Sequence, residues 1–435
     1  MVLGARQTGK TYLLREYLGP LFPACHYFSL DTDRKAASVF ADAGSSADRL
    51  IAGLEMVIGR SIDASRDLLV FDEIQDCPGA LASLKQFAQD KPGAFVCCAG
   101  SLLGLHLAEG SFPVGKVEFL ELKPMCFTEY LEAMGERRLL EAVSGLGGGV
   151  KPSETAHLLL WDQFATYMLT GGMPEALAAA ADLKENPLSA FQAARKVHQA
   201  LEIGYMADMA KHTGKPGSLQ IERVWRSIPP QLGRTIDGNA SRYRFGGVIP
   251  GRGGYRDLAG SIDWIEKAAL AIRVPIVENA ETPLSAFMKE NTFKLYLHDT
   301  GMLCSMAGVG SQDWLEAARG FYRGWIAESV VVQELVAAGV RKPFSWSRST
   351  AEVEFVLEHD GIVIPMEVKA GRRSQSKSLA SFAARYDPPM MIKAGMWNLG
   401  RRGRTILLPL YACSLLGDRD FLNRLLSGTA PQLPD

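Results

Sequence analysis

Gly4-Ala5-Arg6-Gln7-Thr8-Gly9-Lys10-Thr11 fits the pattern G-x-x-x-x-G-K-[ST] at every fixed position, and the rest of the chain is read outward from it. The two glycines let the backbone curl until successive N–H groups face a phosphate. Lys10 brings a point charge to the outer phosphate oxygens, and the Thr11 hydroxyl can ligate Mg²⁺. A helix is expected directly afterwards, over about 10–17, with its positive end aimed at the same phosphates. Gly4, Arg6, Gln7, Thr8, Gly9, Lys10 and Thr11 are therefore the candidate nucleotide contacts, with ATP and Mg²⁺ as the expected ligands.

A second stretch, Leu68-Leu69-Val70-Phe71-Asp72-Glu73, reads as a buried strand ending in two acids. Asp72 is placed to support Mg²⁺, and Glu73 to polarise an attacking water. A third apolar run, Ala94 to Cys98, ends in Ala99-Gly100-Ser101. Ser101 there either senses the outer phosphate and positions the water or caps a following helix. With Tyr27-Phe28-Ser29-Leu30, these runs alternate with helical stretches, the rhythm of a parallel α/β sheet.

The whole chain has 435 residues, which suggests about three domains. Its 47 Lys+Arg against 48 Asp+Glu leave a net charge of -1, so a surface built wholly for chromatin or an anionic membrane is excluded. Seven scattered cysteines without CxxC spacing support neither a disulfide framework nor a zinc site, and fit a reducing cytoplasm. Met1 runs straight into the polar loop, so no secretory leader is read, and the longest uncharged run, Pro92 to Ala108, is too short and polar to span a bilayer. His106, His298 and His359 share no ligand spacing.

Residues 1–140 form the expected α/β domain. The glycine cluster at 144–149 marks a boundary. A mostly helical region follows over 155–310, with a short strand at Lys294–Asp299 that suggests a winged helix. The remaining 315–435 open on a helix and continue into two alternating strands around His359-Asp360-Gly361, a hairpin signal.

At this point a resemblance can be stated. The first 135 residues resemble the AAA+ superfamily ATPases of bacteria and archaea that open on G-x-R-x-x-G-K-T. Asp72-Glu73-Ile74-Gln75 matches the family's second acidic motif, and Leu122-Lys123-Pro124-Met125-Cys126-Phe127-Thr128-Glu129-Tyr130 is similar to its L-x-P-L-S-F-x-E-F signature. The resemblance implies a P-loop NTPase domain that hydrolyses ATP. There are two departures. Gly115-Lys116 stands where the family has Gly-Arg, which removes a bidentate arginine. The chain also starts three residues before Gly4, so the expectation is either a truncated start or a shortened central strand.

In the C-terminal part, Glu352 and Glu354 share one face of the first hairpin strand, and Glu367 and Lys369 share one face of the second. These acids and the lysine either converge on a divalent metal or form a solvated charged face. Their order, with Glu328 on the preceding helix, resembles the PD-(D/E)xK nuclease superfamily, with Glu354 where aspartate is usual. Tyr167 to Glu175, Lys294 to Gly301 and Pro365 to Gly371 resemble the uncharacterised domain that accompanies these ATPases. The resemblance implies a restriction-endonuclease-like α/β domain with Glu328, Glu354 and Glu367 as metal ligands and Lys369 beside them. Residues 341–404 carry twelve Lys/Arg against six Asp/Glu, which suits either phosphate-backbone contact with DNA or RNA or a soluble charged face.

The expected function is thus an ATP-binding protein, a Mg²⁺-dependent ATPase whose nucleotide state controls a nuclease-like domain. Two alternatives are a metal-dependent nuclease gated by ATP, and a non-catalytic interaction module. A protein partner or self-assembly is compatible with any of these.

Overall fold

Five short strands, a pair and a three-stranded sheet, build the first part of the chain: β1 (Val2–Leu3), β2 (Cys25–Ser29), β3 (Leu68–Asp72), β4 (Phe95–Cys98) and β5 (Leu120–Glu121). β3 is buried at every position, because parallel strands are covered on both faces by the helices that connect them. Those helices are Arg34–Val39 and Ala47–Ile58 on the way into β3, and Pro78–Asp90 on the way out. β2 and β4 flank β3 in parallel, with Phe28 opposite Phe71 and Val70 opposite Cys97. β1 pairs in parallel with β5, and a parallel bridge from Val2 reaches Ala99, one residue past β4. That bridge sets the β1-β5 pair beside the β4 edge of the three-stranded sheet β2-β3-β4. Phe71 meets Phe40 edge-on at 5.3 Å between centroids, and Leu50, Leu54 and Phe87 complete that core. Each such side chain contributes about 1.5–3 kcal/mol by leaving water.

The computed structural model describes residues 1–41, 46–101, 115–183, 186–234, 242–310, 313, 324–369 and 377–428. The chain divides into two compact units, Met1–Lys123 with Trp264–Leu270, and Pro124–Asp263 with Ala271–Asp435. Among the described residues no helix is long and apolar enough to cross a membrane.

The second unit begins with helices. Phe127–Ala133 and Arg137–Gly147 lead to Glu154–Thr170, whose first turn is capped by Ser153 Oγ accepting from the Ala156 N–H at 3.2 Å. The glycine cluster at 144–149 lies at the end of the second of these helices. The helical stretch Pro187–Arg226 is two helices. Gly214, at φ 67°, breaks it, and Pro216 follows as a helix-starting residue.

An eight-stranded mixed sheet completes the unit. Its strands are β6 (Ala271–Val277), β7 (Met288–Leu297), β8 (Phe344–Arg348), β9 (Ala351–His359), β10 (Ile362–Val368), β11 (Met391–Gly395), β12 (Gly400–Arg402) and β13 (Thr405–Pro409). They lie in the order β12-β13-β11-β10-β9-β8-β6-β7. This corrects the winged-helix expectation: the strand read at 294–299 is the end of β7, and the β6–β7 pair closes one edge of this sheet. Periodicity marks a strand but not its partner, which explains the misplacement. β9 and β10 form the expected hairpin, with His359 opposite Ile362. Asp360 and Gly361 have φ of 48° and 77°, the positive pair that a two-residue turn of this hand requires.

Candidate functional site: a phosphate-binding loop and a carboxylate cluster

β1 ends at Leu3, and the chain turns at Gly4 with φ 140°. A Cβ at Gly4 would run into the carbonyl oxygen of Leu122, so only glycine fits between β1 and β5 at this point. Gln7 and Gly9 also take positive φ, 66° and 91°, which folds the loop over itself. Thr8 is buried and donates from Oγ1 to the Ala5 carbonyl at 2.8 Å. The following helix is α-helical over Lys10–Tyr12 and widens to a π-helix over Leu13–Leu18.

Lys10 is only 6% exposed. Its ammonium lies under the loop, donating to the carbonyls of Gly4 at 3.1 Å and Ala5 at 2.6 Å. Burial lowers its pKa to about 8, against the raising influence of Glu73 and Asp72. Thr11 donates from Oγ1 to Asp72 Oδ2 at 2.6 Å, which joins the loop to the end of β3. Tyr27 on β2 donates to the same oxygen at 2.8 Å. A hydroxyl and a carboxylate in contact are the oxygen donors that Mg²⁺ takes alongside phosphate and water, and the residues fit that ion.

Glu73 follows directly, with φ 49° and ψ 44°, a left-handed conformation that costs a non-glycine residue about 1–3 kcal/mol. Its Oε2 accepts from Gln75 Nε2 at 2.5 Å and, more loosely, from Ser101 Oγ at 3.4 Å. Glu73, Ser101 and Asp72 thus meet at one end of the sheet. Sequence reading left Tyr27 and Gln75 without roles. The tyrosine on β2 and the spacing Glu73-x-Gln75 were the available signals. Lys116 is exposed, while Arg6 lies near enough to lower the Lys10 pKa.

In the second unit the structure brings Glu328, Glu352, Glu354, Glu367 and Lys369 into one neighbourhood, but not as an open set of ligands. The residue that changes the picture is Lys294 on β7, 1% exposed. Its Nζ lies 2.6 Å from Glu352 Oε1 and 3.3 Å from Glu328 Oε2. Tyr296 donates to the same Glu328 oxygen at 3.0 Å. Burial works against the Lys294 charge, but Glu328, Glu352 and Glu354 outweigh it and hold its pKa well above the ordinary value. The register Phe355–Met366 carries on to Glu354 and Glu367. The Val368 N–H donates to Glu354 Oε2 at 3.4 Å, and burial with Glu328 nearby raises the Glu354 pKa to about 8. Glu367 is 3% exposed, pairs through Oε1 with Lys369 at 2.7 Å, and lies opposite Lys393 of β11. Its Oε2 is buried without a hydrogen-bond partner. Among the described residues, no three or more His, Cys, Asp or Glu are arranged to hold a metal ion. A charged lysine inside the apolar run Phe293–Leu297 was the sequence signal that acids must converge there.

The surface of this unit includes a groove of about 730 Å³ lined by Glu281, Arg348, Ser349, Thr350, Arg385 and Tyr386 among others. Arg372, Arg373 and His106 lie outside the described residues. His298 and His359 are each buried beside a partner, Tyr205 and Asn423. Burial raises the Cys97 thiol, and raises Cys98 to about 12, so neither is poised as a thiolate.

None of the curated proteins matches this chain. Three family models do match, each over part of it. Residues 162–313 match a domain of unknown function, DUF8612, and residues 323–413 match another, DUF4143. Residues 1–131, which contain the loop, β3 and Ser101, match an AAA domain. The chain therefore carries an N-terminal AAA domain, an ATP-binding P-loop module, followed by two domains of unknown function.

Proposed function

We propose that the protein is a Mg²⁺-dependent ATPase whose nucleotide state controls a C-terminal domain that contacts nucleic acid. The observation that carries the first half is the Thr11–Asp72 hydrogen bond of 2.6 Å, which sets loop and acidic strand in one corner above the buried Lys10. In this reading the loop N–H groups and Lys10 hold the β- and γ-phosphates, and Arg6, Gln7 and Thr8 shape the cradle. Thr11 and Asp72 hold Mg²⁺, which when bound neutralises charge on the phosphates. Glu73 takes the proton of the attacking water, and Ser101 orients that carboxylate or the water itself. The left-handed backbone at Glu73 keeps its side chain at the strand end.

Isothermal calorimetry with MgATP tests the assignment. Wild type should bind one nucleotide per chain, and Lys10→Ala should abolish the heat. Unchanged affinity in that variant would overturn the assignment.

For the second half, the order helix (Gly324–Ala337), β8, β9, β10, helix (Lys377–Tyr386), β11, with β10 and β11 parallel, supports the restriction-endonuclease-like reading. The groove with Arg348 and Arg385 favours phosphate-backbone contact over chemistry. Arg348→Ala with Arg385→Ala should weaken binding of single-stranded DNA and lower its salt dependence. Salt-insensitive binding, or none in wild type, would remove nucleic acid from the function.

A further inference from the structure

The ATP-binding reading leaves Lys294 unused, yet few residues of the chain are more constrained. It is a lysine with 1% exposure on β7, the edge strand of the eight-stranded sheet. It reaches Glu328 on the helix Gly324–Ala337 and Glu352 on β9. Such a group stays in a folded core only when carboxylates surround its charge. The same two carboxylates are thereby committed. Glu352 Oε1 faces the ammonium at 2.6 Å. Glu328 Oε2 takes both the ammonium and the Tyr296 hydroxyl. On the far side, Glu367 is engaged by Lys369 at 2.7 Å, and Glu354 accepts from the Val368 backbone.

We propose that Lys294 is the resident cation of this cluster, its ammonium standing between Glu328 and Glu352 and closing the carboxylates to a divalent metal. A divalent ion entering here would face an ammonium that cannot move to water, because its side chain is buried on all sides. It would also have to displace the hydrogen bonds that Glu328 already accepts. The chemistry that follows is specific: the cluster has no metal-activated water with which to cut a phosphodiester. Lys294 also ties β7 to the helix and to β9, so the cluster keeps its shape without any metal. The inference does not depend on ATP binding.

The test is Mn²⁺ binding to the full, nucleotide-free chain, read by loss of the free-ion electron paramagnetic resonance signal. Wild type should show no site that Glu367→Gln removes. Lys294→Met is similar in size and apolar, and removes the ammonium from Glu328 and Glu352. It should gain one Mn²⁺ per chain, bound at least about tenfold tighter than by wild type, and Glu367→Gln in the same background should remove it. A folded Lys294→Met protein with no added Mn²⁺ would overturn the proposal. A tight Mn²⁺ in wild type that Glu367→Gln abolishes would do the same. Should Lys294→Met fail to fold, thermal unfolding of wild type in millimolar Mn²⁺ decides. A midpoint that Mn²⁺ shifts no more in wild type than in Glu367→Gln supports Lys294 as the cation, whereas a Mn²⁺-dependent rise confined to wild type contradicts it.

Discussion

Among the described residues a buried lysine stands beside acids twice, and the two places are built differently. At the loop, Lys10 donates to main-chain carbonyls. The acids opposite are held by neutral groups, Thr11 and Tyr27 on Asp72, and Gln75 and Ser101 on Glu73. In the C-terminal sheet, Lys294 pairs directly with two carboxylates. Neutral partners position a charge without cancelling it, so the first corner keeps its charges for a ligand carrying both signs, a polyphosphate with Mg²⁺. Direct pairing offsets much of the charge internally, so the carboxylates of the second cluster are held by the chain's own lysines. Similar residue types thus give a binding site in one region and an ion-paired clamp in the other.

The largest effect should come from breaking the clamp. Glu352→Ala leaves Lys294 short of a partner in the core, and such a loss costs about 3–5 kcal/mol. Urea unfolding should show it, and a change within error would mean that Lys294 is already served by solvent. Next is Glu73→Gln, which keeps size and hydrogen bonding but cannot accept a proton. Turnover should drop about 10²- to 10³-fold, in the range of general-base catalysis, while MgATP affinity stays within about threefold. Hydrolysis at the wild-type rate would take Glu73 out of its role.

The third effect is a pH dependence peculiar to the loop. Lys10 has its pKa lowered to about 8 by burial. It is therefore charged below that pH and increasingly neutral above it, whereas phosphate binding requires the charged form. ATP affinity should be flat from pH 6.5 to 7.5 and fall about tenfold by pH 9, since one unit of pH removes a factor of ten in the protonated fraction. Binding at pH 8.5 should take up protons, seen as a dependence of calorimetric heat on buffer ionisation. A flat profile to pH 9 would place the Lys10 pKa at its ordinary value. The smallest effect is expected for Tyr27→Phe, which removes one of two hydroxyls on Asp72 Oδ2. A hydrogen bond of this kind contributes about 1 kcal/mol, so the Mg²⁺ concentration needed for half-maximal turnover should rise roughly fivefold. An unchanged requirement would make Tyr27 a packing residue only.

How legible this was in the sequence follows from the range of the interactions. The loop is local. Its glycines, lysine and threonine lie within eight residues, and the backbone dihedrals that make it work are written in Gly4 and Gly9. The acidic end of β3 was legible because a parallel strand is apolar throughout, which makes Asp72 stand out. The β9–β10 hairpin was readable from Asp360-Gly361 and the alternation on either side. What stayed hidden depends on which strands become neighbours. Lys294 and Glu352 are far apart in sequence, and nothing in the period-two pattern of 293–297 says that this strand joins the C-terminal sheet. The same gap produced the winged-helix expectation. It also left Glu328, Glu354 and Glu367 to be read without Lys294, which the fold brings close to Glu328 and Glu354.

One measurement bears on both halves of the contrast at once: counting tightly bound Mn²⁺ per full-length chain by electron paramagnetic resonance, with and without ATP. With ATP one ion should be bound, lost in Lys10→Ala and untouched by Glu367→Gln, and without ATP none should be bound. An ion that binds tightly without nucleotide and disappears in Glu367→Gln would contradict the account, as would ATP-dependent binding that survives Lys10→Ala.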